Sequence, residues 1–181
     1  TAPTFTTTNT AIAFNTSDVT LSNNGTTTIN TGSGAGGVTF GAKVETNGGG
    51  NDNLTITSGE GNVTFTGSIG AGNSLGNLSV NASSGDGDIT FTSTIGDSEN
   101  AGTSGTTSIG NDATEVIYFN NTLYSFDGGQ TTITAKDGLN TRVSQADTTI
   151  KVNGEALRFD ESALSLSSGA NLTINSNGGA I

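Results

Sequence analysis

Hydrophobic residues recur along this chain in three interleaved rows with a spacing close to 25 residues. The second row is the Phe of five aliphatic-x-Phe segments, namely Phe14, Phe40, Phe65, Phe91 and Phe119, which are 26, 25, 26 and 28 positions apart. The first row is Phe5, Ile29, Ile56, Val80, Ile109 and Ile133, and the third row is Leu21, Val44, Ile69, Ile95 and Leu123. Apolar residues alternate locally with Thr, Ser or Asn, as in Val63-Thr64-Phe65. This period of two predicts strands with one buried face.

Clusters of Gly, Asn, Asp and Ser separate these strands and are typical of turns. Three strands per period of about 25 residues describe one coil of a β-solenoid, in which equivalent residues of successive coils lie above one another. The sequence therefore predicts an all-β fold, a parallel β-helix of about seven coils with three short strands each. The crossover rule favours a right-handed helix. An antiparallel sandwich is the rival fold, but it requires no fixed register of 25 residues and has a bulkier core.

The regular pattern covers residues 1–130 of a single predicted domain, 1–181. The rows blur after Gln130, so we expect a longer, irregular coil over 131–162 and a final coil over 163–181, in which Ile181 closes the third row. Residues 1–130 hold 11 acidic residues and one lysine, whereas 131–181 hold five acidic and four basic residues. Either the last coils carry a solvated loop, or they form an electrostatically distinct end that meets the acidic end of another molecule.

Composition narrows the possible functions. Thr and Ser make up 53 of the 181 residues, against 38 for Leu, Ile, Val and Phe, so only a thin core is possible. The chain has no Cys, His, Met or Trp, which removes thiol chemistry, disulfides and the usual transition-metal ligands. A net charge of −11 argues against nucleic acid and anionic lipid as partners, and no apolar run is long enough to enter a membrane.

Neither end of the chain has the amphipathic pattern of a capping helix, and a bare coil presents unpaired backbone groups. We therefore expect end-to-end contact through Phe5 at one end and Leu172, Ile174 and Ile181 at the other. The chain begins at Thr1 without Met, which favours a processed or excised form.

The units GNVTFTGSIGAGNSLGNLSVNASSGDGDITFTSTIGD, which begin at Gly61, resemble the coils of filamentous-haemagglutinin-like and related giant bacterial β-strand-repeat exoproteins. The resemblance extends over most of residues 1–130. It implies a parallel β-helix, secretion, and an adhesive or fibre-forming role. It supplies no catalytic residues.

Calcium is the one cofactor that the sequence raises. Half of a Gly-rich nonapeptide calcium repeat is similar to the segment Gly48-Gly49-Gly50-Asn51-Asp52-Asn53-Leu54. A shorter segment of the same kind is Gly110-Asn111-Asp112. Such a site needs consecutive nine-residue turns, which do not follow here, so Asp52 and Asp112 are better explained as turn residues.

The sequence also bears on an ice-binding function and on a catalytic one. Outward Thr64/Thr66 and Thr90/Thr92 suggest an ice-binding row, but the adjacent coils give Thr39/Gly41 and Tyr118/Asn120, which breaks it. Glycoside hydrolysis needs paired carboxylates, for which Asp86, Asp88 and Asp112 are the candidates, without His and with few exposed aromatic residues.

The sequence therefore predicts a non-enzymatic, extracellular structural protein whose copies stack head to tail into a surface fibre, sheath or matrix filament. One alternative is a repeat segment of a long secreted adhesin. The other is an ice- or glycan-binding solenoid module. The expected partner is the protein itself, with cell-surface glycans or matrix proteins as further candidates.

Overall fold

The computed structural model describes residues 2–49, 51–136 and 140–181, and of Asn140 it describes the backbone alone. The described residues contain strands and turns and no helix. Gly50 of the calcium-like motif and residues 137–139 of the expected irregular coil lie outside the described residues.

The strands follow one another in seven coils of similar length. Coils 1 and 2 contain β1 (Thr4–Thr6), β2 (Ile12–Phe14), β3 (Val19–Leu21), β4 (Thr26–Asn30), β5 (Val38–Phe40) and β6 (Val44–Thr46). Coils 3 to 5 contain β7 (Asn53–Ser58), β8 (Val63–Phe65), β9 (Leu78–Ala82), β10 (Ile89–Phe91), β11 (Thr107–Ile109), β12 (Ile117–Phe119) and β13 (Leu123–Phe126). Coils 6 and 7 contain β14 (Thr131–Thr134), β15 (Asn140–Val143), β16 (Asp147–Val152), β17 (Leu157–Asp160), β18 (Ala163–Leu166) and β19 (Asn171–Asn175).

Each strand pairs in parallel with an equivalent strand of an adjacent coil, which confirms the predicted β-solenoid. Coils 3 and 4 have two strands each instead of three, because single bridges replace their third strand. The first sheet has the order β1-β4-β7-β9-β11-β14-β17, and the second has the order β2-β5-β8-β10-β12-β15-β18. The third sheet consists of β3-β6 and β13-β16-β19, and single bridges from Val44 through Ile69 and Ile95 to Tyr124 connect the two parts.

The near-copies GNVTFTGSIG and GDITFTSTIG are therefore consecutive coils, with Val63, Thr64 and Phe65 paired to Ile89, Thr90 and Phe91. Each copy ends on a glycine with positive φ, 64° at Gly70 and 74° at Gly96, where the chain leaves the third sheet. A side chain at either position would be strained and would overlap neighbouring backbone, which explains why both copies end on Gly.

The register confirms the first and second rows residue by residue. In the first sheet Phe5 pairs with Ile29, Ile29 with Ile56, and so on through Ile133. In the second sheet the five phenylalanines pair directly, and their rings form one continuous stack with centroid distances of 5.0, 5.1, 5.3 and 5.4 Å and interplanar angles of 14° or less. Phe40, Phe65, Phe91 and Phe119 are buried, and Phe14 at the end of the stack is half-buried.

The third row was wrong at two positions. Val19 rather than Leu21 pairs with Val44, and Tyr124 rather than Leu123 bridges to Ile95. Tyr124 points inward because its ring packs edge-on against Phe119 at 4.6 Å, and its hydroxyl accepts a hydrogen bond of 2.7 Å from the Asn121 backbone N–H. Burial of this phenol raises its pKa above the ordinary value.

The expected boundaries of the last coils also differ from the structure. Leu157–Asp160 pairs with Thr131–Thr134 as the first strand of coil 7, so coil 6 has a step of 26 residues from Ile133 to Phe159 and is not longer than its neighbours. Ile181 does not close the third row, because that place in coil 7 belongs to Ile174, which pairs with Ile150. Instead, the Leu157 N–H donates to the carbonyl of Ala180, so Ile181 begins a further turn of the first sheet.

Candidate functional site

The first coil presents an apolar face along the solenoid axis, which we call the N-terminal end face. Phe5 is 43% exposed, although its ring touches Phe14 edge-on at 5.9 Å. Beside these rings lies a hollow of about 180 Å³ whose lining is mostly apolar and includes Phe5, Phe14, Val19 and Ile29. The hollow opens at the end of the core because, in the described structure, no further coil covers the outer side of coil 1.

The seventh coil presents a second apolar surface, which we call the C-terminal end face. Leu164 and Leu166 of β18 are 42% and 48% exposed, and Ile181 is 70% exposed. Leu172 and Ile174 of β19 are half-buried and pack against the core. The expected end-to-end residues thus lie at the two ends of one core, and the structure adds Leu164 and Leu166 to them.

The two end faces differ from the inner coils in hydrogen bonding as well as in exposure. Strands of the inner coils, such as β5, β8 and β10, have both apolar residues buried, and they pair on both sides. β1 and β17 form the edges of the first sheet, and β2 and β18 form the edges of the second. An edge strand presents unpaired N–H and C=O groups that can bind a further strand.

One group of charged side chains near each end is paired within the chain. Lys43 contacts Glu45 at 2.8 Å and Asp18 at 3.6 Å, and the hydrogen bond with Glu45 raises its pKa. At the other end Arg158 contacts Asp160 at 3.5 Å. These surface pairs contribute little stability, but they reduce the net charge that each end presents to an approaching molecule.

The outer surface of the first sheet is a second candidate, which sequence reasoning missed. In coils 1 to 6 its outward side chains are all neutral and polar, although the protein carries a net charge of −11. We call this the hydroxyl face; its central column is Thr4, Thr28, Thr55, Ser79, Ser108 and Thr132. The residues that flank the first row carry this pattern in the sequence, whereas the predicted Thr row lies beside the second row.

On the outer surface of the second sheet, the predicted interruption of the Thr row is present. Thr39, Thr64 and Thr90 pair in successive coils, and Tyr118 follows. The guanidinium of Arg142 lies 5.6 Å from the centre of the Tyr118 ring, which is a cation–π distance.

Asp52 and Asp112 lie at different turns of the solenoid and do not converge. Asp52 is fully buried just before β7, and its Oδ1 accepts hydrogen bonds from the backbone N–H groups of Asn23 (2.8 Å) and Asn24 (2.6 Å). Asp112 is exposed in the turn between β11 and β12. Asp52 therefore stabilises the adjoining turn of coil 1, and among the described residues no three acidic side chains lie close enough together to hold a metal ion.

The two carboxylates that the sequence offers for glycoside hydrolysis near β10 are a hydrogen-bonded structural residue, Asp88, and an exposed turn residue, Asp86. Asp88 belongs to a ladder of side chains that connects three coils: its N–H donates to Asn62 Oδ1 (2.9 Å), and its Oδ1 accepts from the Val116 N–H (3.0 Å). Burial raises the pKa of Asp88, and the hydrogen bond from Val116 opposes this effect. Asp86 is exposed in the preceding turn.

In the part of the chain that the structure describes, no helix is long and apolar enough to cross a membrane. Comparison of the chain with protein-family models, curated proteins and solved structures finds no match.

Proposed function

We propose that this protein is a non-enzymatic structural subunit whose copies stack head to tail into a filament. In this proposal the C-terminal end face of one copy covers the N-terminal end face of the next. The filament would belong to an extracellular surface fibre, sheath or matrix, in keeping with the resemblance of residues 1–130 to filamentous-haemagglutinin-like exoproteins.

The observation that carries the proposal is the exposed apolar surface at both ends of one continuous core. Phe5 at one end, and Leu164 and Leu166 at the other, are the large apolar residues of end-coil strands that remain exposed. Stacking would bury them and would pair the free edges of the first two sheets. Contacts of this head-to-tail kind do not close on themselves, so they generate fibres.

The proposal is tested by negative-stain electron microscopy and light scattering of the 181-residue chain at rising concentration. We expect unbranched filaments whose subunit repeat is roughly 34 Å, from seven coils at about 4.8 Å each. Leu166→Asp should abolish elongation because it places a charge in the contact. Thr64→Asp places the same charge on the outer surface of an inner coil and should leave elongation unchanged. Rods that never elongate at any concentration would refute self-assembly and favour the adhesin-segment alternative.

A second candidate, a solenoid module that binds neutral glycans or ice, is favoured by the hydroxyl face. Parallel strands about 4.8 Å apart present Thr and Ser hydroxyls there in a regular array without charge. Thr55→Lys would disrupt this array in the middle of the face, whereas Thr64→Lys changes the second sheet only. A loss of polysaccharide retention or of ice-growth inhibition in the first variant alone would support this candidate.

A further inference from the structure

The chain returns to the same angular position after seven whole turns. Pro3 precedes β1 and its carbonyl accepts from the Thr28 N–H (3.0 Å), which places Pro3 over Thr27. The same column continues from Thr27 through Leu54, Leu78, Thr107 and Thr131 to Leu157. Because the Leu157 N–H donates to the Ala180 carbonyl (2.9 Å), Ile181 lies at the next position of this column. Pro3 and Ile181 are therefore equivalent positions separated by seven turns.

We propose that a second copy of the chain docks on the C-terminal end face in the register that continues all three sheets; this inference rests on the proposed function. Residues that pair from coil to coil at one position of a sheet form a column. Each column, continued by one residue into the second copy, defines one contact. Phe159, which pairs with Ile133, meets Phe5 of the second copy. Leu166, which pairs with Val143, meets Phe14 of the second copy.

The third sheet continues in the same register, since Ile174 pairs with Ile150 and meets Val19 of the second copy. All three columns thus place an apolar residue of one copy on an apolar residue of the next. A shift of the second copy by one residue along the coil would place outward positions of one copy over inward positions of the other in each sheet, so the docking register is strongly specified.

On the outer surface of the first sheet, this register places charged residues of one copy beside neutral residues of the next. Arg158 and Asp160 of the last coil come beside Thr4 and Thr6 of the second copy, since these positions share columns of the first sheet. Each side of the contact is one coil of about 25 residues, which matches the roughly 20–30 residues a side of a stable protein interface.

The register also implies one overlap. Ile181 and Pro3 of the second copy require the same position, so one terminal segment must move aside when the copies dock. Ile181 is 70% exposed and is the less costly of the two to displace. Removal of Ala180 and Ile181 should therefore favour docking and lower the concentration at which filaments appear.

Cysteine crosslinking tests the register directly, because the chain has no cysteine of its own. Thr4→Cys and Arg158→Cys are prepared as separate variants, mixed under assembly conditions and oxidised. In the proposed register their Cα atoms are neighbours in a parallel sheet, about 5 Å apart, which is within the range of a disulfide. Thr132→Cys is the matched control for Arg158→Cys, because Thr132 lies in the same outward column one coil further inside.

We expect disulfide-linked dimers from the 4/158 mixture and only background from the 4/132 mixture. Filaments that give no 4/158 crosslink, or equal crosslinking with the control, would overturn the register and leave head-to-tail assembly standing. Absence of any association by light scattering, in the full chain and in the chain that lacks Ala180 and Ile181, would overturn the proposed function and this inference together.

Discussion

Replacing Phe65 with alanine tests the central claim about the core. Phe65 is 1% exposed and lies in the middle of the phenylalanine stack, with the ring of Phe40 at 5.1 Å on one side and that of Phe91 at 5.3 Å on the other. The variant loses the transfer free energy of a buried ring and both ring contacts, and it leaves a cavity between two coils. A buried Phe→Ala change typically costs about 3–5 kcal/mol of unfolding free energy.

For a chain of this size, 1 kcal/mol corresponds to about 2–4 °C in Tm, so the expected loss is roughly 6–20 °C. The measurement is thermal and urea unfolding followed by far-ultraviolet circular dichroism. Phe14→Ala is the matched control, because Phe14 is half-buried, stacks face to face on Phe40 alone at 5.0 Å, and meets Phe5 only edge-on at 5.9 Å. Its loss should be clearly smaller. An unchanged Tm for Phe65→Ala, or equal losses in the two variants, would refute the continuous stack as the main stabilising element.

Three further predictions concern turns and titrating groups. Asp52→Ala should lower the unfolding free energy by about 1–3 kcal/mol because two backbone N–H groups lose their acceptor. Asp52→Asn keeps an acceptor oxygen and should lose less. Equal losses of the two variants in urea unfolding would contradict the turn-stabilising role. Gly67→Ala should be strongly destabilising because its Cβ would overlap the backbone of the preceding coil, whereas Gly25→Ala meets only ordinary contacts at 3.6 Å or more; similar Tm values would argue against close coil stacking at Gly67. Hydrogen bonds from the backbone N–H groups of Asn100 and Glu99 lower the pKa of Asp97 below 3.8, so its stabilising contribution is present above that pH and is lost as pH falls through the folded pKa. Burial raises the pKa of Asp88, so its ionisation becomes unfavourable to folding as pH rises above 3.8. The difference in unfolding free energy between variant and parent, measured across the acid range, should therefore change with pH in opposite directions for Asp97→Asn and Asp88→Asn. The same direction in both variants would refute this assignment.

The candidate surfaces were only partly visible in the sequence. The apolar residues at the chain ends are found by position alone, and Phe5, Leu172, Ile174 and Ile181 all lie at the end coils. Leu164 and Leu166 have the alternation of an ordinary strand, and only the structure places β18 at the edge of its sheet, where both side chains are exposed. Asp52 looked like a calcium ligand or a surface turn residue, yet it is buried against the turn of the preceding coil 28 and 29 positions away.

The sequence by itself determined the fold class and the register of the first two sheets. A parallel solenoid places equivalent residues on one another, so the repeated spacing of 24 to 29 residues in the first row already predicts which residues pair. The alternation of apolar and polar residues then fixes which side chains point inward, because consecutive side chains of a strand point to opposite faces.

Tertiary structure alone decided two positions of the third row and the boundaries of the last coils. At Leu123-Tyr124 two bulky residues are adjacent, and alternation cannot say which of them faces inward; packing against Phe119 and a buried hydrogen bond place Tyr124 inside. Likewise, Leu157–Asp160 could have ended coil 6 or begun coil 7, and only its backbone pairing with Thr131–Thr134 assigns it. In both places the local pattern allows two arrangements of similar local preference, and contacts with residues a full turn away select one of them.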